Sequence, residues 1–106
     1  MNLIQHHKKA VAAACLDNRV AQLYVFGSVL TDKFSADSDI DFIVSIDASD
    51  PIEYAEYYFN LKFELEKIFE RSIDLLEDKS IANKYFEKLI NQQKVLIYAG
   101  RNQGVA

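Results

Sequence analysis

A chain of 106 residues, half of them apolar, supports one modest core and a single domain. Its net charge of −4, with acidic and basic residues interspersed, leaves no basic footprint and argues against direct binding of bulk DNA or RNA. No apolar run approaches the roughly 18 residues of a membrane span and no signal peptide precedes the first helix, so the expectation is a cytoplasmic protein without a membrane partner.

In chain order, Leu3, Ile4, His7, Val11, Ala14 and Cys15 recur at helical spacing and predict a first helix from Leu3 to about Leu16. Cys15 is the only cysteine, so no intrachain disulfide forms, and its Ala-rich setting reads as a buried structural thiol. The adjacent His6 and His7 point in different directions on a helix and read as ordinary helix residues. Ala21 to Phe26 lacks polar alternation after Gln22, which fits a central strand covered on both faces. Val29 to Asp32 is expected to form a helical turn, and Ser35-Ala36-Asp37-Ser38 is loop chemistry.

The second strand is predicted from Asp39 to about Ile46, with Ile40, Phe42 and Val44 facing away from Asp39 and Asp41. Asp50-Pro51-Ile52-Glu53 is a helix start: Asp50 can cap, Pro51 suits a position that needs no N–H partner, and Glu53 stands where a capping-box acid belongs. That helix should run to about Glu70. A third strand, Arg71 to Leu76, carries Asp74 between Ile73 and Leu75, where a lone carboxylate costs free energy unless something pairs with it. Asp78 or Ser80 is expected to cap a helix through Ile81, Tyr85, Phe86, Leu89 and Ile90, with Lys94 to Tyr98 as a last strand. The domain is expected to fill 1–99, with 100–106 a loose C-terminal tail.

The chemistry gathers between Leu23 and Val44. Gly27-Ser28 closes one apolar run and Asp39-Ile40-Asp41 opens the next, so a phosphate seat faces a metal seat. Residues two apart on a strand share a face, which projects both carboxylates together, as hard divalent cations require. A glycine at a strand-to-helix turn lets backbone N–H groups approach a triphosphate closely. The two halves meet only if the strands run antiparallel, because a parallel pair would set them a strand length apart, roughly 17 Å. With Asp74 on the next strand, the acids repel one another unless a cation compensates, a cost that a purely structural protein has no reason to bear.

Gly27-Ser28, ten intervening residues, then Asp39-Ile40-Asp41 resembles the signature of the nucleotidyltransferase superfamily in its minimal form. The order of elements extends that resemblance over nearly the whole chain, to the minimal nucleotidyltransferase domains found as antitoxins beside HEPN-domain toxins. The resemblance implies an α/β (α+β) fold, with a mixed four-stranded sheet flanked by helices. It also implies that Asp39, Asp41 and Asp74 hold two Mg²⁺ ions, that Asp74 helps deprotonate an acceptor hydroxyl, and that Gly27 and Ser28 seat the β- and γ-phosphates of an NTP, with ATP the expected donor.

The sequence departs from the pattern at Val29, Thr31 and Asp32, where many minimal members carry arginines and a glycine; Lys33 is the nearby cation. Two functions follow. One is transfer of a nucleotidyl group, AMP foremost, onto a hydroxyl of a HEPN-domain partner; the other is a non-catalytic module that neutralises its partner by contact. In the long helix, Tyr54, Tyr58, Leu61, Leu65 and Ile68 make one apolar stripe, and Ile52, Ala55, Phe59 and Phe63 make another. With Tyr57 outside both, the Tyr54, Tyr57 and Tyr58 region is expected to contact the HEPN protein or a second copy in a homodimer.

Overall fold

The computed structural model describes residues 2–31, 35, 37–78 and 83–100. Its elements are α1 (Asn2–His6), α2 (Lys8–Asp17), β1 (Val20–Phe26), a 3₁₀ turn (Gly27–Leu30), β2 (Ile40–Ile46), α3 (Pro51–Phe69), β3 (Ile73–Glu77), α4 (Lys84–Gln93) and β4 (Val95–Ala99). The strands form a four-stranded sheet in the order β3-β2-β1-β4. β1 pairs antiparallel with both β2 and β4, whereas β2 and β3 are parallel and joined through α3. The mixed sheet and the antiparallel pairing expected from the spacing are both present.

Alternation along the strands divides the sheet into two faces. Leu23 and Val25 of β1, Ile40, Phe42 and Val44 of β2, and Ile73 and Leu75 of β3 are buried on one face. They share a single core with Val11, Ala14 and Cys15 of α2 and Leu61, Leu65 and Phe69 of α3. The opposite face carries Tyr24, Phe26, Asp41, Ile43 and Asp74, in cross-strand pairs Tyr24 with Ile43, Phe26 with Asp41, and Asp41 with Asp74. β1 is central as expected, but this second face is only partly covered: Tyr24 and Phe26 are half-buried, so the run reads as fully covered in sequence and is not.

The N-terminal helix is broken where continuity was expected. His7 has φ −106° and ψ 18°, and its N–H reaches back three residues to Ile4 O at 3.2 Å, which tightens the turn between α1 and α2. Its ring meets Phe69 edge-on at 5.2 Å between centroids, so the apolar spacing survives while the backbone kinks. Asn18 then caps α2 from inside, donating from Nδ2 to Ala14 O at 2.8 Å and to Glu64 Oε2 at 3.1 Å, which ties α2 to α3.

α3 starts as the sequence dictates. The Asp50 carboxylate accepts from the Glu53 N–H at 3.0 Å, Pro51 occupies the first turn, and Glu70 closes the helix with φ 53°. α4 does not start where expected: Asn83 caps it, accepting from Tyr85 N and Phe86 N at 2.9 and 3.1 Å, and only Ile90 of α4 is buried. The cap at Asp78 is thereby corrected, since an Asx side chain immediately before the first turn reaches those amides and one five residues earlier does not. Ser80 and Ile81, like Asp32, Lys33 and Ala36, lie outside the described residues. At the C-terminal edge, Gly100 N donates to Ala21 O at 2.7 Å, so the ladder reaches Gly100; the rest of the expected tail, 101–106, lies outside the described residues. Among the described residues, no helix is long and apolar enough to cross a membrane.

Candidate active site

The site lies at the end of the sheet where β1 finishes and the parallel strands β2 and β3 begin. Because β2 and β3 run the same way, their first residues arrive at one edge, and because β1 runs against them, its last residue arrives there too. Asp41 and Asp74 are direct partners in the parallel register, and Phe26 faces Asp41 from β1. The topology thus brings Asp41 and Asp74 to one row of the open face, with Asp39 just before β2.

Gly27 sits against this row. Its φ of +83° is a left-handed conformation that side chains rarely adopt, and a Cβ built there would stand 2.3 Å from Asp41 Oδ2. Glycine is required on both grounds: backbone direction and room for the carboxylate. Ser28 follows in the same 3₁₀ turn, Gly27–Leu30, while its hydroxyl lies outside the described part of the structure. Placing Gly27 and Ser28 inside the turn differs from the expected helical turn at Val29 to Asp32, because the chain bends at the glycine itself.

Electrostatics mark the row as well. The Asp41 carboxyl is pushed up from 3.8 to about 6, first by burial, then by a hydrogen bond with Asp74 and by the negative charges of Asp74 and Asp39. A carboxylate that is partly buried beside other acids ionises less readily than one in water, and a cation at the row would offset that cost. Asp39 lies just before β2 and is exposed, as is Asp74. Exposure resolves the cost expected for a carboxylate between Ile73 and Leu75: Asp74 points to the open face of an edge strand, and its neighbours point into the core.

A residue without a sequence motif holds this loop in place. Arg71 donates from one guanidinium nitrogen to the carbonyls of Ser35 and Ser38, each at 3.1 Å, and so fixes the segment that delivers Asp39. Directly beyond it, Ile40 N donates to Ser72 O at 3.3 Å, opening the β2–β3 ladder. The only sequence signal for Arg71 is a cation at the mouth of a strand, with an acid three residues on. Tyr58 supports the far side, its hydroxyl donating to Leu75 O beside Asp74.

The residues fit a divalent cation. The donors are hard carboxylate oxygens, the Asp41–Asp74 pair is short of positive charge, and the missing Cβ of Gly27 keeps the approach to Asp41 open. Among the described residues no three such groups are gathered into a finished metal cage.

With this geometry in view, the polymerase beta-type nucleotidyltransferase family profile matches residues 8–103. The chain belongs to the nucleotidyltransferase family. It is 30% identical over 95 residues to a Methanocaldococcus jannaschii protein described as a candidate protein adenylyltransferase, covering 90% of this chain and 91% of the relative. A toxin–antitoxin structure with AMP-PNP superposes with a TM-score of 0.66 at 21% identity, over 91% of this chain and 76% of that one. A structure of tri-AMPylated Shewanella oneidensis HEPN toxin with an MNT antitoxin gives a TM-score of 0.61 at 20% identity, over 94% and 76% of the two chains. These likenesses establish the nucleotidyltransferase fold, and the expected family is thereby shown. Nucleotidyltransferases of this superfamily generally use a divalent metal.

Proposed function

We propose that this nucleotidyltransferase moves AMP from ATP onto a hydroxyl of a HEPN-domain partner protein, as the antitoxin of a cytoplasmic toxin–antitoxin pair. The observation that carries the reading is the contact of Asp41 and Asp74 in one sheet row, directly under Gly27. The relative named for protein adenylyl transfer and the AMPylated HEPN complex supply the substrate and the acceptor class.

Asp39 and Asp41 would hold Mg²⁺ against the triphosphate, with Asp74 sharing one of two ions. Bound there, the metal neutralises charge on the reacting phosphate and on the leaving group. Gly27 and Ser28 seat the β- and γ-phosphates with backbone N–H groups at the turn. The acceptor oxygen attacks the α-phosphorus in line, the bond from that phosphorus to the bridging oxygen breaks, pyrophosphate leaves, and the hydroxyl proton passes to Asp74. Asp74 suits this role because it is exposed on the edge strand, where a protein-borne hydroxyl can reach it.

One observation favours the second reading, a module that neutralises by contact. Val29, where many minimal members carry a cation after the Gly-Ser step, is only 4% exposed and packs in the core, so its side chain offers a phosphate no charge. Incubation of the purified protein with Mg²⁺, ATP labelled on the α-phosphate, and the HEPN product of a neighbouring reading frame separates the two. Label on the partner that disappears with Asp74→Asn supports transfer. A tight complex that never takes up label establishes the contact module instead.

A further inference from the structure

The row that carries Asp74, Asp41 and Phe26 continues one strand further. Val95 pairs with Val25, so Lys94, directly before β4, lies at the level of Phe26 and hence of the acids. Its position is set by two elements: its N–H donates to Ile90 O at 2.7 Å as the cap of α4, Ile90 is buried, and β4 begins at the next residue. The ammonium stands on the open face, 4.2 Å from the centre of the Tyr24 ring, and Tyr24 pairs with Ile43 on the same face as Asp41. Tyr24 precedes Gly27 by three residues along β1.

We propose that Lys94 is the triphosphate-binding cation of this site, gripping the β- and γ-phosphates of the nucleotide seated at Gly27. The inference rests on the nucleotide reading above and adds the residue that Val29 cannot supply. From the Tyr24 ring to the end of β1 is about two residues of antiparallel strand, roughly 7 Å, within the swing of a lysine's flexible stem. A cation parked on an aromatic face is only weakly held there, so a phosphate competes for it readily. The Tyr24 ring thus stores the ammonium over the open face, where it neither pairs with the acids nor blocks them.

The test compares binding of Mg²⁺ with a non-hydrolysable ATP analogue against binding of Mg²⁺ with AMP, which lacks the β- and γ-phosphates. Lys94→Met keeps the stem on Tyr24 and removes the charge, and should weaken the analogue ~10- to 100-fold, as loss of a charge-assisted hydrogen bond does, while AMP changes less than about twofold. Lys94→Arg should restore most of the difference. If Lys94 merely clips α4 to the sheet, Lys94→Met and Lys94→Ala lower the unfolding midpoint and leave the ratio of the two affinities unchanged, which overturns the assignment. Wild-type protein that binds neither nucleotide would overturn the nucleotide site itself, whereas wild-type binding with an unchanged ratio in Lys94→Met removes only the role of Lys94.

Discussion

Asp41 shows how a single side chain records the chemistry it is built for. Its carboxyl is held at about 6 rather than 3.8 by burial and by the acids beside it, so the metal-free native protein binds a proton that the unfolded chain releases. The sign of the linkage follows: the stabilisation from this group is fully present below about pH 4 and is lost as pH rises through about 6, since the unfolded state binds fewer protons in that window. Metal-free protein should therefore lose part of its stability between those limits, as seen in urea midpoints taken across pH, and Asp41→Asn should flatten the curve there. The same proton competes with a cation, so Mg²⁺ affinity should climb over the same window. A midpoint that rises across it in wild-type protein, with Asp41→Asn behaving identically, would mean that the carboxylate pair is not strained.

Helix α3 is where pattern and packing part company. Leu61 and Leu65 of the first stripe are fully buried, and Tyr54, Tyr57, Tyr58 and Ile68 pack against the core, while Ile52, Phe59 and Phe63 of the second stripe are exposed. The tyrosines expected from sequence to form a contact surface are half-buried and pack against the core, and the more exposed stripe is the other one. Tyr57→Glu should then cost about 2 kcal/mol or more by burying an unpaired charge, whereas Phe63→Glu should stay within about 0.5 kcal/mol; chemical denaturation of the two variants decides it. Similar losses in both would return Phe63 to the core. Local chemistry was legible wherever it was self-contained: the Asp50 cap and Pro51 are complete within one turn, and the spacing from Gly27 to Asp41 leaves only the antiparallel solution. What the sequence hid depended on distant partners. The break at His7 involves Phe69, the tether of Arg71 ends on Ser35 and Ser38, and Lys94 acquires meaning only when β4 is laid beside β1.

For the whole molecule, three acids at one sheet edge make binding and stability a single question. A ligand that binds only the folded state stabilises it by mass action, ~2.7 kcal/mol when present at a hundred times its dissociation constant. For a domain of this size each kcal/mol moves the melting temperature by about 4–8 °C, so saturating Mg²⁺ with a non-hydrolysable ATP analogue should raise it by roughly 10 °C or more. Asp39→Asn and Asp41→Asn should abolish that shift, because each removes a proposed ligand from the metal that bridges protein and triphosphate. Asp74→Asn should behave differently: it relieves the repulsion on Asp41 and keeps much of the shift, yet it lowers transfer to the partner by ~10² to 10⁴-fold, the usual worth of a positioned base. The division follows from topology, since Asp39 and Asp41 stand at the start of an inner strand next to the glycine turn, and Asp74, beside Asp41, stands on the edge strand. Thermal melts and label transfer on the same three variants measure both halves. Equal loss of shift and of transfer in all three would show that Asp74 is a ligand like the others, and near wild-type transfer in Asp74→Asn would move the proton acceptor to Glu77 or Asp37.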